Sequence, residues 1–153
     1  MRFLFDEMLK KLAKWCRIFG IDSEHFTGKT DSELLEYAKG KDLVFVTRDE
    51  ELAGRCGKHG IRVVFIKSTD VEEQIRQIID ETKVKINPEQ PRCSECNGEL
   101  EMVEKNEILD ELPAKVRAEK FWRCKGCKKI YWVGSHWKNI GRLYLSLNDS
   151  KAI

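Results

Sequence analysis

Cys93-Ser-Glu-Cys96 and Cys124-Lys-Gly-Cys127 are the residues of this chain whose spacing most directly dictates a chemistry. Two cysteines separated by two residues aim both sulfurs at one point across a tight turn, and two such pairs make the tetrahedral set that Zn²⁺ takes. Four thiolates leave no coordination position for a substrate, so the expected ion is structural, one zinc per chain. Gly98 and Gly126 are the expected turn residues. The 27 residues between the pairs exceed the simplest ribbon spacing and imply an insertion around 106–119. A thioredoxin-like redox pair would need a βαβ context that is missing here and would leave the second pair unexplained. Cys16 and Cys56 fall singly in helical patterns and read as buried.

Three aspartates form a second pattern. Asp6 directly follows the apolar run RFLF, Asp49 falls two residues after LVFVT, and Asp31 opens a helical stretch between them. If those runs are parallel strands, residues just past their ends gather at one edge of the sheet. Converging carboxylates repel unless a hard divalent cation lies among them, so Mg²⁺ or Mn²⁺ is the expected ion. Such a set can orient water for in-line attack on a phosphodiester. Glu7 and Glu33 are the candidates for a further acidic ligand. Most of these acids also have an architectural explanation. Thr30-Asp31-Ser32-Glu33 and Thr47-Arg48-Asp49-Glu50 both have the form of a capping box, and acids favour helix N-termini with or without catalysis. Asp6 opens no such box.

The elements that must position these residues follow from periodicity. Short apolar runs at Arg2–Phe5, Leu43–Thr47 and Arg62–Ile66, with a further short strand expected at Ile21–Phe26, alternate with helical patterns. The first helix is expected to bury Met8, Leu12, Trp15 and Phe19 and to stop at Gly20, with Lys10, Lys14 and Arg17 on the opposite face. Later ones run from Thr30 to about Lys39, from Thr47 to about Cys56, and through Val71, Ile75, Ile78, Ile79 and Thr82. Alternation of this kind predicts right-handed crossovers and an α/β fold, a three-layer α/β/α sandwich with a mainly parallel sheet, followed by a small β-rich ribbon. The segment 87–92, NPEQPR, carries two of the three prolines and reads as a linker between a domain at 1–86 and a ribbon at 93–137, with a tail at 138–153.

At 153 residues the chain is too short for a multidomain enzyme, and 35% charged residues indicate a densely ionic surface. No apolar run approaches the ~20 residues of a membrane span, and Asp6 and Glu7 interrupt any leader, so a cytoplasmic protein with no membrane partner is expected. A net charge of +2 says little about a polyanionic partner, but its distribution does. Residues 89–111 hold eight acids against Arg92 and Lys105, while 115–142 hold nine bases against Glu119. That basic run is interleaved with Phe121, Trp122, Tyr131, Trp132 and Trp137, a combination that tracks phosphates and offers faces to unpaired bases. Lys125, Lys128, Lys129, His136 and Trp137 are the expected RNA contacts on the ribbon. Lys14, Arg17 and Arg48 are those near the acids. The aromatics would alternatively fill the ribbon's small core.

The stretches RFLFDEMLKKLAKWCRIFGID, TDSELLEYAK and LVFVTRDEELA, the paired Cys-x-x-Cys motifs and YWVGSHW together resemble the Mut-seven C-terminal RNase family, a PIN-like nuclease domain fused to a zinc ribbon. The resemblance runs to about Trp137. It implies metal-dependent cleavage of RNA, with Asp6, Asp31 and Asp49 matching the family's acidic motifs. One feature departs from the broader PIN pattern: only 21–30 separates the first two acidic elements, too little for the helix that usually carries an intervening acid. Asp22 or Glu24 would substitute, or Glu7 or Glu33 would complete the set. Two other readings compete with a nuclease acting on single-stranded RNA. One is an RNA- or ribosome-binding adaptor whose acids only cap helices; the other is a toxin-like nuclease held by a protein inhibitor.

Overall fold

The computed structural model describes residues 1–28, 30–113, 116–134 and 136–149. Four strands, β1 (Arg2–Phe5), β2 (Asp22–His25), β3 (Leu43–Thr47) and β4 (Arg62–Phe65), form one parallel sheet in the order β2-β1-β3-β4. Central strands of such a sheet are covered on both faces, which explains why Phe3, Leu4 and Phe5 are all buried, as is every residue of β3.

The strand order also fixes where the helices lie. From β1 the chain moves outward to β2 through α1 (Lys10–Ile18). It then reverses, reaching β3 through α2 (Asp31–Ala38) and β4 through α3 (Glu50–Lys58). Right-handed crossovers in opposite directions place α1 on one face and α2 with α3 on the other. The two cores agree. Phe3, Phe5, Leu12 and Cys16 pack with Ile75 and Ile78 of α4 (Val71–Thr82), while Leu4 and Phe45 pack with Leu34, Leu52 and Cys56. The expected three-layer α/β arrangement is therefore present, with its sheet parallel throughout.

The entry to α1 differs from expectation. Asp6 N–H donates to Val46 O, extending the strand pairing by one residue, and a 3-10 turn at Glu7–Leu9 follows before the helix begins. That turn directs Leu9 inward and leaves Met8 87% exposed. Gly20 ends the helix with φ +81°, and a Cβ there would meet the carbonyl oxygens of Asn87 and Gln90 at 2.9 Å. Both conformation and space require glycine, because the 87–92 segment folds directly over this corner.

The second sheet is antiparallel, in the order β5 (Leu100–Val103), β6 (Phe121–Cys124), β7 (Ile130–Trp132). It docks on the edge strand β2 and on α1. Arg17 is 7% exposed and donates from Nε to Ser23 O at 2.7 Å and from Nη1 to Ser94 O at 2.8 Å. Asn97 accepts from Ser23 N and donates to Asp22 Oδ1, so an edge strand that would otherwise offer free backbone is partly covered. Residues 138–149, expected as a tail, instead belong to α5 (His136–Asp149). Its Ile140 and Leu147 are buried in the α1/α4 core, and Tyr144 stacks on Phe19. Among the described residues no helix is long and apolar enough to cross a membrane.

Candidate functional site

The cysteines converge as their spacing predicts. Cys93 Sγ lies 3.6 Å from Cys127 Sγ and Cys96 Sγ 3.4 Å from Cys124 Sγ, and all four sulfurs fall within 4.8 Å of one another. Bonds of about 2.3 Å to a tetrahedral zinc would set sulfurs roughly 3.8 Å apart, so the set fits that ion. The two knuckles repeat one backbone pattern. Asn97 N donates to Cys93 O and Lys128 N to Cys124 O, while Cys93 N donates to Gly98 O and Cys124 N to Lys129 O.

The turns are made differently from expectation. Asn97 and Lys128, each with φ 67°, occupy the left-handed positions. Gly98 serves space instead, since a Cβ would stand 2.8 Å from Cys124 Sγ and 3.1 Å from Cys96 Sγ. Burial opposes charge at Cys124, but N–H donors from Cys127 and Gly126 and the Cys96 thiol outweigh it and hold its pKa down at about 7. The Tyr131 hydroxyl, 2.9 Å from Cys93 Sγ, adds a partner that spacing alone did not reveal.

The acids lie at the other end of the parallel strands from the docked knuckle. Strand order reverses between β1 and β3, and Asp6 and Asp49 follow the C-terminal ends of those two strands, where α/β sheets open a crevice. Thr47, fully buried at the end of β3, links them. Its Oγ1 donates to Asp6 Oδ2 at 2.8 Å and accepts from Asp49 N at 3.0 Å. The sequence places Thr47 at a strand end and in a capping box, and neither reading makes it a link between the two acids. The cap of α3 is Asp49 itself, whose Oδ1 accepts from Leu52 N at 3.0 Å. At α2 the cap is Thr30, accepting from Glu33 N, and this frees Asp31 from that role. Asp31 Oδ2 instead accepts from Arg55 Nη1 at 3.1 Å.

Asp31 and Asp6 share surroundings. The buried Cys56 thiol is pushed up first by burial and next by the charge of Asp31, with Asp6 adding to it and Arg55 working against it. Asp6, Asp31 and Asp49 each use one oxygen in these bonds, and among the described residues no hydrogen bond engages the other. That leaves three hard oxygens, the donor type Mg²⁺ and Mn²⁺ take. The three are not drawn together as the cysteines are: among the described residues, the four cysteines alone form a group of His, Cys, Asp or Glu ligand atoms within 4.8 Å. Glu7 lies in the 3-10 turn after Asp6 and Glu33 in the first turn of α2, both exposed at this edge. Asp22 and Glu24 are engaged elsewhere, by Asn97 and by Arg2 with Tyr37.

Of the expected phosphate contacts, Arg48 is exposed in the turn between Thr47 and Asp49. Arg17 is corrected: burial and its two carbonyl partners make it a strut between α1, β2 and the first knuckle. Lys14 and Lys129 both approach Glu95 Oε1, at 3.3 and 3.5 Å. Lys125 pairs with Glu99, and Lys128 donates to Lys125 O; both are exposed. Trp132 packs at an angle on Phe121, and it and Tyr131 are half-buried rather than exposed. The side chains of His136 and Trp137 lie outside the described residues.

A parallel α/β sheet with acids at its switch point, joined to an antiparallel ribbon with four clustered cysteines, is the class of protein these observations define. The model of the Mut7-C RNAse domain family matches residues 1–144, and the chain belongs to that family. No curated protein and no solved structure matches it. Family membership supports a nuclease-related role with RNA as substrate.

Proposed function

We propose that the protein is a metal-dependent ribonuclease acting on single-stranded RNA, with Asp6, Asp31 and Asp49 as the carboxylates that hold Mg²⁺ or Mn²⁺ and with one structural zinc on Cys93, Cys96, Cys124 and Cys127. The observation that carries this reading is the Thr47 hydroxyl bonded to both Asp6 and the Asp49 backbone at the sheet's switch point. Thr47 fixes the Asp6 carboxylate, and the α3 cap fixes that of Asp49. Arg48 and the N-termini of α2 and α3, with their partial positive charge, favour a phosphate at this edge. Glu7 and Glu33 stand near enough in sequence to complete the acidic set. When bound, the divalent ion supplies activation of water and neutralisation of phosphate oxygens. Lys125, Lys128 and Lys129 extend the positive surface along the ribbon.

One observation favours a second reading, an RNA-binding adaptor without catalysis: Asp49 caps a helix and Asp31 pairs with Arg55, so two of the three acids already serve the fold. RNA cleavage in Mn²⁺ by wild type and Asp6→Asn separates the two. The nuclease reading expects wild-type cleavage and a loss of at least about 10²-fold in the variant, with RNA binding retained. Binding by both without cleavage by either would leave the adaptor.

A further inference from the structure

Two cavities lie between the ribbon and the α/β unit, apart from both the cysteine cluster and the acidic edge. A cavity of about 370 Å³ lies among Trp122, Ile130, Tyr131 and Trp132 of the ribbon, Ile18 of α1 and Ile140 of α5. A second, of about 350 Å³, shares Ile18, Ser94 and Ile140 with it and continues to Lys11, Lys14 and Glu95. The two cavities therefore adjoin, one lined by aromatic side chains and the other by Lys11, Lys14 and Glu95.

The junction is marked by charge. Lys14 and Lys129 converge from α1 and from the second knuckle on one oxygen of Glu95, and the Lys129 ammonium stands 5.2 Å from the Tyr131 ring centroid. Two ammonium groups brought to one anionic oxygen, beside a wall of aromatic faces, match the two ends of a nucleotide. We propose that these adjoining cavities form a groove that binds one unpaired nucleotide of an RNA strand, its base against Trp122 and Tyr131, which share one face of the ribbon sheet, and its phosphate on Lys14 and Lys129 in place of Glu95. The inference rests on the reading of RNA as substrate and adds a second, non-catalytic grip.

Its position gives it a consequence. The ribbon docks on Asp22 and Ser23, which pair with Arg2 and Phe3 at the start of β1, whereas Asp6 follows the end of that strand. Four residues of strand separate the two by about 13 Å, so one RNA strand reaches both only if it is longer than a dinucleotide. Grip at the groove thus makes cleavage depend on substrate length.

The test uses the zinc-loaded protein and a twelve-nucleotide oligouridine in buffer without Mg²⁺ or Mn²⁺, read by quenching of tryptophan fluorescence. Wild type is expected to show saturable quenching. Lys14→Gln with Lys129→Gln should weaken binding about tenfold and reduce the salt slope by roughly 0.7, one phosphate contact on a single strand. Trp122→Leu, checked for zinc content, should weaken binding to a similar degree with the slope unchanged. In Mn²⁺ the lysine pair should raise KM for the twelve-mer by a larger factor than it raises KM for a dinucleotide. Wild-type binding by the lysine variant, or equal binding of duplex RNA, would overturn the groove while leaving the nuclease reading intact. Binding that follows the groove pattern in a protein that never cleaves would overturn the nuclease reading instead, and a wild type that neither binds nor cleaves would overturn both.

Discussion

Cys93 and Cys127 are 34 positions apart in sequence, yet their sulfurs approach to 3.6 Å, a geometry already suited to an ion. Asp6 and Asp49 follow strands that are hydrogen-bonded to each other, and their carboxylates are nonetheless held by separate partners, Thr47 on one side and the Leu52 N–H on the other. The difference lies in what assembles each set. A knuckle is a local object: its turn, its left-handed residue and its N–H to carbonyl bonds fix two sulfurs within a few residues, so two knuckles on one small sheet suffice. The acids come from three elements, and each has an electrostatic partner that does not depend on a cation. The ribbon's sulfurs are thus gathered in a set that only an ion completes, while the acidic edge is a surface whose partners hold it without one.

The sharpest break in that comparison is removal of zinc. The ribbon buries little besides Cys93, Ile108, Phe121 and Cys124, too small a core to stand alone. Structural zinc contributes on the order of 10 kcal/mol in such units, so Cys96→Ser should unfold 93–132 and spare the β1–β4 sheet. Purified wild type should hold about one zinc per chain, and amide NMR of the variant should show ribbon signals collapsing while those of Phe45 and Val46 persist. A folded, zinc-free ribbon would end the distinction. Asp49→Asn gives the complementary result. Asn caps a helix as well as Asp does, so thermal stability should stay within about 1 kcal/mol. Cleavage should fall about 10²-fold or more and resist rescue by added Mn²⁺. Wild-type turnover by this variant would remove Asp49 from the chemistry.

The same contrast explains what could be read from the sequence. Cysteine spacing, strand runs and the acids after them are local signals, and the ligand set, the parallel sheet and the place of Asp6 and Asp49 were legible from them. Arg17 was misread because its helical position puts it among lysines, and only the docked knuckle shows that its guanidinium meets Ser94 O. Met8 fits the helical period, but the strand continues through Asp6 and a 3-10 turn shifts the inward position to Leu9. The tail became a helix because its partners, Phe19 and Arg76, lie far away in sequence. Thr47 was legible as a residue but not as a link, since its two bonds exist only when β1 and β3 are side by side. Thr47→Val keeps the branched shape and removes the hydroxyl, leaving a half-buried carboxylate oxygen of Asp6 and the Asp49 N–H without their partner. A loss of about 1 to 3 kcal/mol is expected, a melting-temperature drop of several degrees, with cleavage impaired beyond the loss of folded protein. An unchanged melting temperature would mean that water replaces the hydroxyl and that the link does not order the site.

The smallest expected effect concerns Arg55, and it bears on whether the acidic edge awaits an ion. The pair it forms with Asp31 is exposed on both sides, 41% for Arg55 and 49% for Asp31, so solvent screens it and its contribution to stability is at most about 1 kcal/mol. The same charge opposes a divalent cation at Asp31. Arg55→Gln should therefore tighten Mn²⁺ binding several-fold, as loss of up to ~1 kcal/mol of competing attraction implies, with little change in melting temperature. Titration of free Mn²⁺ by its paramagnetic resonance signal measures this directly, without relying on activity. Cleavage adds a second reading: if Arg55 only competes with the cation, the Mn²⁺ concentration for half-maximal rate falls and the maximal rate holds. If it also meets phosphate once released from Asp31, the maximal rate falls as well. Unaltered or weaker Mn²⁺ binding in Arg55→Gln would place the cation away from Asp31 and reduce the acidic set to Asp6 and Asp49.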